Sequence, residues 1–546
     1  MPSRTRRTLF SMIVFFAACA VLGMVVSQKV GAQSDSDDAT VRSSLRSFTS
    51  VYDLVEENYA EPLNGDKAEK AIYDGAIPGM LRVLDPHSNF NDPKAYARML
   101  EDQTGKYYGV GMVIQPEGLG AEQKIVVLYP FEGTPSYKAG IRPGDVIAAV
   151  DGKPTDNMTS EDVANLLKGP RGTHVQLTVV RYGTEKPIVF DLIRDEIPNN
   201  SIDLAYMIRP GIGYVHIRDF QETTSHELGD ALDSFGDIHG LVLDLRGNPG
   251  GLLNEAVAVC DKFLQKGQVI VSQRGRAYPP VVYKATHGNG GHDYPIVVLV
   301  NRGTASAAEI VSGALQDHDR AIIAGETTFG KGLVQTVYPL SEHTGLALTT
   351  YHYYTPSGRL IQRNYNGVSL YDYYYNHDQP QDLANREVRL TDSGRTVYGG
   401  GGITPDDKID TPKSNDFQEV LLTHSVFFDF AKRYMANRTI DKNFQVDDSV
   451  MQQFKQFLTS QQIPYTDQDL NGVMDWIQAN IKAEIFTTQF GQEAGLRIRA
   501  DWDPMIGKAL DYLPQAQALE NAAKRADSQR ASVGAAPAAN LAGAQE

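Results

Sequence analysis

Ser306 and Lys331 are the residues of this chain whose types and settings could do chemistry together. The apolar, β-branched run Pro295-Ile-Val-Val-Leu-Val300 predicts a buried strand that ends at Asn301-Arg302-Gly303. From Ala307 to Leu315 the apolar residues fall at helical spacing, which puts Ser306 in the bend between strand and helix. A hydroxyl there faces unpaired backbone N–H groups and the positive end of the helix dipole. Those groups can hold a developing oxyanion during acyl transfer. The neighbours Gly303, Thr304, Ala305, Ala307 and Ala308 leave room for a substrate backbone.

A serine nucleophile needs a base. Lys331 lies in Thr328-Phe-Gly-Lys-Gly332, beyond a second apolar strand, Ala321 to Ala324, and is followed by Leu333-Val334. Burial would disfavour its charged form and lower its pKa from about 10.4 towards neutrality, as a general base requires. Gln335, four residues on, could orient the amine. His318, between Asp317 and Asp319, reads as a solvated turn. Structural roles compete with each assignment: a serine before a helix is ordinarily an N-cap, and Gly-Lys-Gly is ordinarily a tight loop or part of an anion site. A phosphate loop fails on spacing, because Gly325 to Lys331 does not fit the pattern and Gly332 stands where Ser or Thr belongs. Neither residue decides the matter alone.

Other elements must bring these residues together. Residues 41–105 read as a helical region, with Phe48, Val51, Tyr52 and Val55 and then Ala71, Ile72, Ala76, Met80 and Leu81 at helical spacing. Residues 187–411 alternate strands and helices and predict an α/β core. Within it Gly240-Leu-Val-Leu-Asp244 leads into the Gly-rich loop Arg246–Gly251, which opens a helix from Leu252 to Leu264, so glycine amides face a ligand. Residues 412–520 show helical periodicity over Phe417–Met435, Val450–Leu458 and Val473–Phe486, serving either an interface or plain packing. The Ala-rich, polar stretch 521–546 predicts a disordered tail.

Three stretches resemble the carboxyl-terminal processing (tail-specific) proteases, serine peptidases that use lysine as base. They are Asn301 to Ile310 with Thr328 to Gln335, Leu243-Asp-Leu-Arg-Gly-Asn-Pro-Gly-Gly-Leu252, and Tyr354-Thr-Pro-Ser-Gly-Arg-Leu-Ile-Gln362 with Gly401-Gly-Ile-Thr-Pro-Asp406. The resemblance implies Ser306 as nucleophile, Lys331 as base and Gln335 as the residue that positions it. It also implies an oxyanion hole from the amides of Ala307 and of Gly250 or Gly251. Leu84-Asp-Pro-His-Ser-Asn-Phe90 matches the family's N-terminal pattern, with His87 in a structural role. Thr304 stands where the family often has serine, and the Tyr-rich stretch 364–398 looks like an insertion near the substrate entrance.

Residues 106–181 resemble a PDZ domain. Gly109-Val110-Gly111-Met112 follows the loop that caps a peptide's terminal carboxylate; Lys138 to Ile147, Val150-Asp-Gly152 and a helix from Ser160 to Leu167 complete the pattern. Such domains bind an extended peptide as an added strand. In relatives, occupancy of that groove is coupled to formation of the active site. Arg171 is a candidate sensor of occupancy, with a solvated turn arginine the blander reading. The fold expected is multidomain α/β: helical N-terminal region, PDZ domain, Ser-Lys core of the ClpP/crotonase-like type and helical C-terminal extension.

With 546 residues and a formal net charge of −16, the chain can form several domains and shows no nucleic-acid motif. Only Cys19 and Cys260 occur, and the scattered histidines, His287 and His292 included, form no metal pattern, so neither metal nor cofactor is expected. Arg4, Arg6 and Arg7 precede an uncharged run from Thr8 to Gln28 and the small-residue pattern Val30-Gly-Ala32, an export signal. Residues 1–32 are then a cleaved signal peptide or an inner-membrane anchor, the run's length leaning to the anchor, with the rest in the periplasm. The expected function is cleavage of proteins near apolar or unstructured C-termini. An adaptor and a homo-oligomer are left open. The alternatives are a PDZ scaffold on a catalytically silent protease fold and acyl-CoA chemistry on a crotonase-like core.

Overall fold

A computed structural model of the chain describes residues 35–63, 65–118, 123–375 and 386–534. The described residues fall into two compact units that divide between Met80 and Leu81. The first contains the helix Asp35–Asn58 and shorter helical segments from Asp66 onward. The stretch expected to be an export signal, residues 1–32, lies outside the described residues, among which no helix is long and apolar enough to cross a membrane.

The centre of the second unit is a sheet ordered Ile202–Arg209, Ile212–Ile217, Gly240–Asp244, Ile296–Val300, Ile322–Gly325 and Asp407–Lys408. Only the first pair is antiparallel. The runs at 240–244 and 296–300 are buried at every residue, which is why they read as unbroken apolar stretches: a parallel sheet covered on both faces has no wet side. The helices Leu253–Asp261 and Ala307–Asp317 pack on one face around Leu243, Val298 and Cys260. Ala307–Asp317 is buried along its whole length. A second sheet gathers Asn89–Asn91, Val269–Arg274, Val281–Lys284 and Leu333–Pro339 around the long strand Gly345–Tyr354.

The C-terminal residues do two different jobs. From Phe417 to Ile485 they build a separate apolar core around Phe427, Phe430, Phe454 and Ile481. From Gln492 onward the helices cover the other face of the central sheet, with Met505, Ile506 and Leu513 against Val242, Val297 and Leu299. The tail expected to be disordered from residue 521 differs accordingly. From Glu520, which is buried, the helix Leu513–Gly534 continues as far as Gly534, and Lys524 pairs with Asp293 at 2.8 Å; residues 535–546 lie outside the described residues. The anchor is the sheet face, which a local composition does not reveal.

The PDZ sheet, ordered Met112–Glu117, Lys124–Pro130, Val146–Val150, His174–Val180 and Ile188–Ile193, extends past the expected limit at 181. Ile188–Ile193 pairs with His174–Val180, and Asp195–Pro198 pairs with Lys106–Gly109, so the first strand assigned to the protease core belongs to this module. The Arg194 side chain donates to the carbonyls of Leu166 and Leu167 and so closes the C-terminal end of the helix Ser160–Leu167.

His318 is not a solvated turn. One ring nitrogen meets Asp392 at 2.7 Å and the other Val269 O at 2.7 Å, while Asp317 and Asp319 are buried. Asp317 pairs at 2.7 Å with Arg359, which is fully buried, and accepts from the Ser357 N–H at 2.9 Å. That pair ties the far end of Ala307–Asp317 to the Thr355–Arg359 turn. Removing one partner strands the other charge in the interior, so Asp317→Ala is expected to lower the unfolding free energy by about 3–5 kcal/mol in urea titrations.

Candidate active site

The strand Ile296–Val300 and the helix Ala307–Asp317 hold Ser306 between them in a strained backbone, φ 53° and ψ −114°. Positive φ in a residue with a side chain costs about 1–3 kcal/mol and persists only where surroundings impose it. Here the fully buried Glu309 accepts from the Ser306 N–H at 2.8 Å. The same carboxylate accepts from the N–H groups of Lys331 at 2.9 Å and Gly330 at 2.7 Å, and from the Thr328 hydroxyl at 2.5 Å. The buried Tyr353 hydroxyl contacts the carbonyls of the same two residues, Ser306 at 3.0 Å and Lys331. One acid and one phenol thus hold both ends of the two residues singled out from sequence.

Sequence reasoning missed both. Glu309 had a signal, since Ser followed three residues later by Glu marks half a capping box at a helix start. Tyr353 had none, because its role depends on the pairing of Gly345–Tyr354 with Leu333–Pro339.

Ser306, Ala307, Lys331 and Gln335 line one cleft of about 440 Å³, together with Gly251 and His87. Burial lowers the Lys331 pKa, while the carboxylates of Glu309 and Asp85 oppose the change. Burial pushes the Glu309 carboxyl up to about 7, held back by its four donors. His87 is lowered to about 4 by burial and by the nearby Lys331 charge, which leaves it neutral, with Nε2 2.9 Å from the Tyr373 hydroxyl. Gln335 Nε2 donates to Thr349 Oγ1 at 3.1 Å.

The Gly-rich loop comes up against the serine from the side. The Gly250 position has φ +100°, and a Cβ there would lie 2.7 Å from Ser306 Cβ and 2.9 Å from Ala307 N. Its N–H donates to Asn248 Oδ1 at 2.8 Å, so of the two glycines it is Gly251 that lines the cleft with an amide not spent in this way. The main-chain carbonyl of the buried Asn248 also accepts from Ala305 N at 2.9 Å, which locks loop and bend together. Thr304 does what a serine would, its hydroxyl donating to Leu245 O at 2.8 Å. Arg246 pairs with Asp244 and reaches Asp503 at 2.8 Å on the back of the sheet.

In the PDZ module the carbonyl of Val110 accepts from Ser136 N at 2.9 Å, and that of Gly111 from Phe131 N at 3.0 Å. In trans peptides the following amides, those of Gly111 and Met112, then point the opposite way. Gly111 has φ +81° with Thr134 Cβ 2.5 Å from where its own Cβ would be, so only glycine fits. Met112–Glu117 is an edge strand of its sheet. Gly109 and Val110 are buried behind it. Arg171 is a surface residue paired with Asp195 at 2.8 Å.

The buried amine of Lys331 burdens folding. The folded protein holds that proton less tightly than the unfolded chain, so the cost is greatest below the depressed pKa and fades towards 10.5, the ordinary lysine value. Lys331→Met should therefore raise the melting temperature, more at neutral pH than at pH ~10. Equal melting temperatures for the two proteins at both pH values would mean a solvated amine.

Comparison with known proteins agrees with this organisation. Residues 211–369 match peptidase family S41, residues 126–181 a PDZ domain, and residues 417–469 a probable PDZ-protease C-terminal helical domain. A carboxy-terminal-processing protease of Bartonella bacilliformis is 34% identical over 437 residues, covering 76% of this chain and 97% of that protein. The carboxy-terminal processing protease CtpA of Bacillus subtilis is 32% identical over 363 residues, 66% of this chain and 76% of its own. A solved photosystem II D1 C-terminal processing protease is 31% identical over 66% of this chain and 92% of its own, with a TM-score of 0.32. With that likeness running along almost the whole of a relative, the chain belongs to peptidase family S41, the carboxy-terminal processing proteases.

Proposed function

We propose that the protein is an exported endopeptidase that cuts proteins near apolar or unstructured C-termini with a Ser306–Lys331 dyad, the tail being held by the PDZ module. What supports the reading is the single cleft that Ser306, Lys331 and Gln335 share, with the backbones of the first two tied to one carboxylate. Ser306 Oγ attacks the scissile carbonyl while the neutral Lys331 amine takes its proton. The amides of Ala307, at the first turn of its helix, and of Gly251 receive the oxyanion. Collapse expels the amine of the leaving segment with a proton from Lys331, and water then attacks the acyl-enzyme by the same route. Gln335 holds the lysine amine in line. Leu252, Ile310, Val334, Val337 and Ala347 line the cleft and suit an apolar side chain beside the scissile bond. The tail pairs with the edge strand Met112–Glu117, its carboxylate on the Gly111 and Met112 amides, above an apolar floor that includes Val163 and Ile114.

The test compares the wild-type chain with Ser306→Ala on an unfolded reporter ending in an apolar residue, free or amidated at its C-terminus. Cleavage by the wild type alone, faster with the free carboxylate, is expected. Binding by both proteins without cleavage by either would instead indicate a scaffold. Gly250→Ala should cost about 100-fold or more in kcat, because the added methyl meets Ser306 and displaces the loop that carries the oxyanion donor. Since the working amine is neutral, kcat/KM should fall as pH drops through the lowered pKa of Lys331. A rate flat from mildly acidic to alkaline pH would remove lysine as the base.

A further inference from the structure

The segment Leu84–Phe90 lies far from Ser306 in sequence, yet it is wired to the base. Asp85 and Ser88 are buried. Asp85 Oδ1 accepts from the N–H groups of His87 at 2.8 Å and Ser88 at 2.7 Å, and Oδ2 accepts from the Ser88 hydroxyl at 2.6 Å. Ser88 Oγ in turn accepts from Thr349 N at 3.1 Å. Thr349 stands opposite Gln335 in the antiparallel pair of Leu333–Pro339 with Gly345–Tyr354, and its Oγ1 accepts from Gln335 Nε2. The strand Asn89–Asn91 continues this segment onto the other edge of Gly345–Tyr354, in register at Asn89 and Ala347. One hydrogen-bonded chain therefore runs from the Asp85 carboxylate through Ser88 and Thr349 to Gln335, and ends in the cleft beside Lys331.

We propose that Asp85 is a positioning residue for the Lys331 amine, acting through Ser88, Thr349 and Gln335. The proposal rests on the Ser306–Lys331 reading and says how that base is held and biased. Two physical effects combine. An amide whose nitrogen is held by Thr349 presents its carbonyl oxygen on the other side, where it can accept an N–H of the amine and leave the lone pair for proton uptake. The second effect is charge. A turn at Pro86-His87-Ser88 could be built with a neutral acceptor, whereas a carboxylate adds an anion that favours the ammonium form of Lys331. The charges that bear on the amine are Glu309 on the helix Ala307–Asp317 and Asp85 on this segment; His87 stands beside it, and Tyr353 on the central strand of the second sheet meets the Lys331 carbonyl. Arg363 and Tyr373 close the site beyond His87 and bear on Glu309. Among them Glu309 is committed to four donors that shape the backbone, so Asp85 is the acid whose charge is free to be changed without undoing the serine bend.

The experiment records kcat/KM against pH for the full chain and for Asp85→Asn, on the reporter with a free C-terminus, with thermal melts to confirm folding. Loss of the anion disfavours the ammonium, so the acidic limb of Asp85→Asn should move to lower pH. A limb that stays in place while activity merely drops would make Asp85 a turn-former only and overturn the proposal. Absence of any acidic limb in the wild type would overturn the Ser306–Lys331 reading instead, so the two failures are distinct. Should Asp85→Asn not fold, Thr349→Val and Thr349→Ser decide. The valine, isosteric but unable to accept from Gln335, should lower kcat about tenfold with KM nearly unchanged, and serine should restore it. Equal kcat in the valine and serine variants would overturn the proposal.

Discussion

The carboxylate of Glu309 is the interaction on which the site depends. A serine at φ +53° does not hold that conformation unaided, and a loop with glycine on each side of a lysine does not choose one path alone. Both are held because four donors converge on one buried acid, from Ser306, Thr328, Gly330 and Lys331. A charged acceptor in a low-dielectric interior makes stronger hydrogen bonds than a neutral one, which suits it to hold strain. Tyr353 completes the arrangement from the other side, at the two carbonyls. The backbones of Ser306 and Lys331 are thus fixed relative to each other, and their side chains remain available to the cleft.

The layers around this point explain why the acid is dry. Helix Ala307–Asp317 is buried on all sides because the central sheet lies under it and the second sheet beside it. The C-terminal helices seal the opposite face of the central sheet, and Arg246 passes the connection through to Asp503. The loop that offers Gly251 to the cleft is therefore braced from two directions, by Asn248 at the bend and by Arg246 beneath the sheet.

The PDZ module is braced too, but by different chemistry. Lys432, on the helix Val426–Tyr434, bridges Glu117 at 2.9 Å and Asp429 at 2.6 Å, and its stem fills the space beside Gly144. The contact falls on the strand Met112–Glu117, whose outer edge stays unpaired within its sheet. A polar, ion-paired seam of this kind fixes a docking orientation while contributing less burial than the apolar cores on either side.

Much of this architecture is legible in the residues alone. The buried strand at 296–300, the helix after it and the bend at Ser306 follow from apolar periodicity and turn residues, which are local properties, while the PDZ module is legible through its resemblance to that domain. Other features are hidden there for equally physical reasons. The strand Ile188–Ile193 reads like any other and declares its sheet only by pairing with His174–Val180. The helix Leu513–Gly534 is too polar to predict a fold until the sheet face supplies a partner for Leu513 and Ala516. His318 reads as solvated until Asp392, distant in sequence, arrives at its ring. Residue type and local spacing made Ser306 and Lys331 candidates, because a hydroxyl at a helix start and a lysine among apolar neighbours are written within a few residues, and the resemblance of the surrounding stretches to the carboxyl-terminal processing proteases singled them out. How the two are held is a matter of long-range contact. The donors to Glu309, the phenol of Tyr353 and the chain from Asp85 to Gln335 join segments that meet only when both sheets have formed.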